Sequence, residues 1–133
     1  MNWETFFKMG STGIGAMTGF LWGEWSPLLQ ILLALSILDY ATGMLASGYE
    51  GKLSSKVGFR GIAKKLMIFC LVAVGHLVDK AIGDGSMIQS AIIFFYLGNE
   101  LLSILENAGR TGLPVPENIA NAVQILKGKG EGK

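Results

Sequence analysis

Residues 51–65 read GKLSSKVGFRGIAKK: five cations (Lys52, Lys56, Arg60, Lys64 and Lys65), no acid, and a long apolar run on either side. Upstream, residues 28–47 are interrupted by a single acid, Asp39; downstream, residues 66–78 carry only a histidine, His76, as a titratable group besides Cys70. With its edge residues each run approaches the ~20 residues, at ~1.5 Å rise, that a helix needs to cross a bilayer core of roughly 30 Å. Carrying cations across a membrane is costly against both lipid and membrane potential, so a basic segment between two spans stays in the cytosol. The stretch therefore predicts a helical hairpin inserted from the cytoplasmic side, and the remaining topology is counted from it.

The composition agrees with that reading. Half of the 133 residues are apolar, 16% are charged, and mean hydropathy is +0.46. The apolar residues are blocked into runs rather than spread at the periods of a soluble helix or strand, which favours an integral membrane protein. Four spans would place about 80 residues in lipid and leave no loop long enough for a second domain, so residues 1–133 read as one all-α membrane domain. The 19 glycines follow no collagen or linker period and suit helices that pack closely in lipid. Cys70 is alone, which excludes an internal disulfide. The N-terminal segment, with Glu4 before Lys8 and glycines at 10, 13, 15, 19 and 23, does not read as a cleaved signal peptide.

Taken in order, the predicted spans are about 9–24, 28–47, 62–82 and 87–106. The first is the shortest and least apolar, though Trp3 before it and Trp22 and Trp25 at its end suit the two interfaces. Gly15, Gly19 and Gly23 fall at i, i+4, i+8 and share one helix face, a pattern that either seats a neighbouring helix or merely loosens an interfacial one. Ser26-Pro27 reads as an N-cap with proline at the first helical position. Asp39, in mid-span, costs roughly 2.5–3.5 kcal/mol if ionised and lipid-facing; it should turn to other helices or to water, as a structural hydrogen bond or as part of a conduction path. Residues 48–65 form the basic cytoplasmic connector. Within it Ser54 or Ser55 caps a short interfacial helix whose Lys56, Arg60 and Lys64 recur on one face and, with Lys52 and Lys65, meet lipid headgroups.

The third span ends near His76 and Asp79, read as a polar helix end, and a turn at 83–86 offers Ser86 as the next N-cap. In the fourth span Asn99, Glu100, Ser103, Glu106 and Asn107 make one face of the inner half polar, either against polar partners or bordering water. Gly109, Gly112, Pro114 and Pro116 end it; an amphipathic helix is predicted over 117–127 and a disordered tail over 128–133. With the N-terminus and connector inside, ten of the eleven lysines and arginines are cytoplasmic, only Lys80 being outside. Four spans with both termini in the cytoplasm is the consistent topology; if the first segment does not cross, the N-terminus moves outside and nothing after Pro27 changes.

Two further strings carry a resemblance. Asp39-Tyr40-Ala41-Thr42-Gly43 followed by the connector motif, and Phe94-Phe95-Tyr96-Leu97-Gly98-Asn99-Glu100 with Ser103-Ile104-Leu105-Glu106-Asn107 and Gly112-Leu113-Pro114-Val115-Pro116, together resemble the toxin secretion/phage lysis holin family over residues 31–120. The resemblance implies a small homo-oligomeric protein of the cytoplasmic membrane of a Gram-positive bacterial host. Such a protein accumulates and then opens lesions through which an endolysin, or in some relatives a large toxin, leaves the cell; the endolysin is a functional partner that need not bind it. It implies no catalytic residue, cofactor or metal, and the cation count is too low for a nucleic-acid surface. Asp39, Asn99, Glu100, Ser103 and Asn107 are candidate packing or lesion-lining residues because of their cost in lipid. Two other readings share the same helices: a non-pore regulator (an antiholin) and a small channel- or transporter-like subunit. An intramembrane enzyme is disfavoured, since Asp39 has no paired acid or Ser–His arrangement in the sequence around it.

Overall fold

The structure, a computed structural model, describes residues 2–83, 85–119, 121–122 and 125, and among them helix is the only regular structure. Four helices follow one another: α1 (Trp3–Trp22), α2 (Pro27–Tyr49), α3 (Ser55–Ile82) and α4 (Met87–Arg110). Residues 117–119, 121–122 and 125 are helical as well; the remainder of the expected 117–127 helix, and the whole 128–133 tail, lie outside the described residues.

Local chemistry sets each start. The Asn2 side chain accepts from Thr5 N–H at 2.8 Å, Ser26 from Leu29 N–H at 3.4 Å ahead of Pro27, and Ser54 from Val57 N–H at 3.2 Å, so three helix N-termini find an oxygen for an otherwise orphan donor. At α4 the expected cap fails. Ser86 makes no capping bond; Asp79 on α3 reaches over instead and accepts from Ile88 N–H at 3.0 Å and Gln89 N–H at 2.9 Å. A carboxylate is the stronger acceptor and also complements the positive end of the helix dipole. Asp79 is thus a buried tie across the α3–α4 turn rather than a polar helix end.

Two elements, α3 and α1, depart most from the sequence expectation. Because Ser54 caps, the second half of the connector is not a separate interfacial helix before a span at 62; it is the first turns of α3, which runs unbroken for 28 residues. At ~1.5 Å per residue that is about 42 Å, well beyond the bilayer core, so its basic N-terminal turns can project from it. The non-helical link shrinks to residues 50–54. The second difference concerns α1. α2, α3 and α4 are long and apolar enough to cross a membrane; α1, a 20-residue helix that includes Glu4, Lys8 and several glycines and hydroxyls, is not among them.

α4 packs most extensively on α2, then on α3, while α2 and α3 touch only slightly. Their shared core is Leu29 and Leu32 of α2, Ile68 and Val72 of α3, and Ile93 and Leu97 of α4. α3 meets α4 closely at Gly75, where a Cβ would lie 2.8 Å from Ile92 Cδ1 and 3.1 Å from Gln89 Cα. Large apolar side chains on the outer faces, among them Ile37, Leu45, Leu66 and Val74, are exposed, whereas Asp39, Glu100 and Asn107 are buried. That inversion is what lipid, not water, selects.

α1 buries no residue and is held at its C-terminal end. Trp22 Nε1 donates to the Phe69 carbonyl at 2.8 Å, and Gln89 Nε2 donates to the Trp22 carbonyl at 2.9 Å. Gly23 is not a member of the expected glycine face. It is the C-cap, at φ +73°, and a Cβ there would sit 2.6 Å from the His76 ring; only glycine fits both the backbone angle and the space.

Candidate functional site

The inward seam of α3 runs through Gly61, Lys65, Ile68, Val72, Gly75 and Asp79, at alternating steps of three and four. Such spacing keeps one face against neighbouring helices. Lys65 lies on that seam, one residue round the helix from the exposed Lys56–Arg60–Lys64 row. The seams of α2 and α4 bring Asp39 and Glu100 to the same level.

Lys65 Nζ donates to Asp39 Oδ2 and to both oxygens of Glu100, at 2.9 Å (Oε1) and 2.6 Å (Oε2). The Glu100 side chain is 4% exposed. Asn107, about two turns further along α4, donates its amide to Asp39 Oδ1 at 2.9 Å, to the Asp39 carbonyl at 3.2 Å and to Thr42 Oγ1 at 2.9 Å. Arg110 continues the chain: it donates to Asn107 Oδ1 at 3.3 Å, to Ser47 Oγ at 3.3 Å and, through Nη2, to Glu50 Oε1 at 2.7 Å. A continuous line of polar groups therefore runs from Glu100 through Lys65, Asp39, Asn107 and Arg110 to Glu50 at the end of α2. The hydrogen bond from Arg110 holds the exposed Glu50 carboxyl below its usual range.

All of that line but Glu50 borders a cleft of about 510 Å³, with Arg60 and Lys64 also on its wall. Asn99, Ser103 and Glu106 face it too, so the polar stripe of α4 turns to α2 and α3 rather than outward. Tyr40 borders the cleft, its hydroxyl donating to the Gly58 carbonyl at 3.4 Å and its ring filling the space that glycine leaves at Gly61.

The sequence-predicted residues thus divide. Asp39, Glu100 and Asn107 meet in one hydrogen-bonded cluster, and Asn99 and Ser103 share its cleft. Lys52, Lys56, Arg60 and Lys64 remain exposed. Lys65 is corrected: expected at the headgroups, it bridges two carboxylates inside the bundle. Glu100 is also the second acid that Asp39 lacked in the sequence, but the ammonium held between them makes an ion-paired set, not a free acid/base pair. Gly15 and Gly19 face open space within the chain. Among the described residues no group of three or more His, Cys, Asp or Glu is placed to hold a metal ion. Arg110 and Glu50 went unread in the sequence, where a lone arginine at a helix end is indistinguishable from an ordinary surface charge.

The fold and the cluster define a small helical membrane protein whose buried carboxylates are all hydrogen-bonded within one chain. The chain belongs to the bacteriophage holin family, whose sequence model matches residues 16–128. An uncharacterized protein of Listeria monocytogenes is 48% identical over 126 residues, covering 95% of this chain and 90% of its own. One of Halalkalibacterium halodurans is 45% identical over 130 residues, covering 94% and 96%. A protein of Bacillus phage phi105 described as a probable holin is 28% identical over 114 residues, covering 86% and 84%. No solved structure matches.

Proposed function

We propose that the protein is a holin of the cytoplasmic membrane of a Gram-positive host. Copies accumulate, associate and open lesions through which an endolysin without a signal peptide, or in related systems a large toxin, reaches the wall or the medium. Family membership carries this reading, and the phage relative described as a probable holin supports it. The cluster supplies a physical account of the delay before opening. With Lys65 between Asp39 and Glu100, a single copy keeps its charges paired and is tolerated in lipid at low density. A lesion needs many copies whose polar clefts turn from each other's helices to water, a rearrangement that dense packing makes favourable.

α1 is the fourth span in this reading, with both termini cytoplasmic. Its modest apolarity is offset once it packs against neighbouring helices rather than lipid.

Induced expression tests the function. Growth should continue and then stop abruptly with loss of membrane potential. Turbidity should fall only when a wall-degrading enzyme lacking a signal peptide is made in the same cell. Accumulation to high level with the potential intact and the enzyme retained would replace the holin with the non-pore regulator, which the same closed cluster also suits. A graded, ion-selective current without enzyme release would point to the small channel.

A further inference from the structure

On the other side of the α2–α3 seam from the charged cleft lies a second cavity, of about 480 Å³. Ser36 and Ile37 of α2 face Leu66 and Cys70 of α3 across it, and Trp22 and Trp25 close one end. Trp25 is fixed there by stacking on Phe69, ring centroids 6.4 Å apart. The lining is apolar apart from Tyr40 and Lys65, which it shares with the charged cleft, and Ser36, whose Oγ, like Trp25 Nε1, is buried with no hydrogen-bond partner among the described residues. Ser36 is 4% exposed. Lipid tails offer no acceptor and a dry apolar wall holds no stable water. The cavity therefore calls for an occupant that is apolar yet brings hydrogen-bonding groups with it.

The chain carries such a segment and leaves it uncovered. α1 buries no residue; Ser11, Gly15 and Gly19 lie on one of its faces, and a Cβ added at Gly15 or Gly19 meets nothing within 4 Å. A face of that kind brings backbone carbonyls and a hydroxyl close to a neighbouring helix, which is how polar groups join helices in lipid. Depth agrees too. Gly23 sits against His76. Eight residues back from each are Gly15 and Ile68, about 12 Å at ~1.5 Å per residue. The Lys65–Asp39 contact puts Ser36 beside Ile68 on the antiparallel α2, since each lies three residues from the paired group. A membrane-crossing α1 thus presents Gly15 at the level of Ser36.

We propose that this cavity receives α1 of a second copy of the chain, with the Ser11–Gly15–Gly19 face turned to Ser36 and Cys70. The contact is head-to-tail: each copy gives α1 to one neighbour and its α2–α3 groove to another, so it propagates around a ring or along an array. It rests on the membrane-crossing, oligomerising reading above, and its competitor for the groove is a lipid acyl chain.

Cys70, the chain's single cysteine, lines the groove and reports the contact. In membranes of cells expressing the full chain, Gly15→Cys and Gly19→Cys are each oxidised with copper–phenanthroline and run without reductant. The expected result is a ladder of disulfide-linked multimers that disappears when Cys70→Ser is added. Gly13→Cys, on the opposite face of α1, should give none; Ser11→Cys, which leaves both glycines in place, serves if the glycine variants fail to accumulate. A cross-link that survives Cys70→Ser overturns the proposal in favour of α1 pairing with α1. Absence of any disulfide while an amine cross-linker still captures oligomers overturns it in favour of lipid in the groove. A Cys70-dependent ladder without lysis in the presence of endolysin keeps this interface and removes the holin reading; lysis without the ladder does the reverse.

Discussion

Lys65 and Glu100, 35 residues apart in sequence, are joined by two hydrogen bonds of 2.9 and 2.6 Å. The bond ties α3 to α4 at the depth where Asp39 enters from α2. Two carboxylates and one ammonium sum formally to −1, so the ammonium is the group that neither carboxylate can lose. Taking one partner from a buried ionic set leaves an uncompensated charge, which typically costs about 3–5 kcal/mol, whereas replacing the whole set by neutral groups is often neutral or stabilising.

Lys65→Met should therefore destabilise the folded helices by an amount of that order, seen as a lower melting temperature in detergent and less protein in the membrane. Asp39→Asn/Lys65→Met/Glu100→Gln should recover most of the loss. If the single variant is as stable as the triple, Lys65 is not the counter-ion shown here.

The three long apolar helices, the cap at Ser26 and the cap at Ser54, one of two neighbouring candidates, were legible because hydropathy runs and capping are local signals. Asp39, Glu100 and Asn107 were legible as costly residues, since a polar group in lipid draws attention wherever it falls. Their partner was not. Lys65 sits among four other cations in a stretch whose net effect is topological, and only its register with Ile68, Val72 and Gly75 marks it as inward-facing. The same limit hid Asp79: its role depends on where the next helix begins in space, and the nearer serine at 86 looked sufficient. The extent of α1 was not legible either: the apolar run marks residues 9–24, whereas the helix runs from Trp3 to Trp22, started by the Asn2 cap ahead of the polar turn that carries Glu4 and Lys8.

Glu50 gives a pH dependence with a definite sign. Its folded-state pKa lies below the usual value because it accepts from Arg110. The stability it contributes is thus present above the ordinary carboxylate pKa and is lost as pH falls through the lowered folded value. Thermal scans of wild type and Glu50→Gln in detergent should differ at neutral pH and converge in acid. A difference that persists or grows in acid would assign the effect to something other than this pair.

Gly75 and Gly13 should respond to alanine with opposite signs. At Gly75 the new Cβ meets Ile92 Cδ1 at 2.8 Å and the Gln89 backbone at 3.1 Å, so α3 and α4 must separate slightly, at a cost of about 1–3 kcal/mol. At Gly13 nothing lies within 4 Å, and replacing a helical glycine by alanine contributes roughly 0.5–1 kcal/mol of helix stability. Melting temperatures in one detergent check both; a neutral Gly75→Ala would show that the two helices are not in contact at that point.

Topology is settled by labelling with a membrane-impermeant maleimide in a Cys70→Ser background. Gly85→Cys, in the α3–α4 turn, should label in intact cells, and Lys56→Cys, at the start of α3, should label only after permeabilisation. The argument is charge. With the basic turns of α3 inside, every lysine and arginine from Lys52 onward except Lys80 is cytoplasmic, and the reverse orientation strands them all outside. Asn2→Cys then decides α1. Protection in intact cells means four crossings with Lys8 retained inside; labelling means three, with the N-terminus outside and Lys8 a second exception beside Lys80. Protection is expected, because the second outcome adds an exposed cation and leaves α1 without a membrane neighbour. Labelling of Lys56→Cys in intact cells would reverse every later assignment at once, since each was counted from that connector.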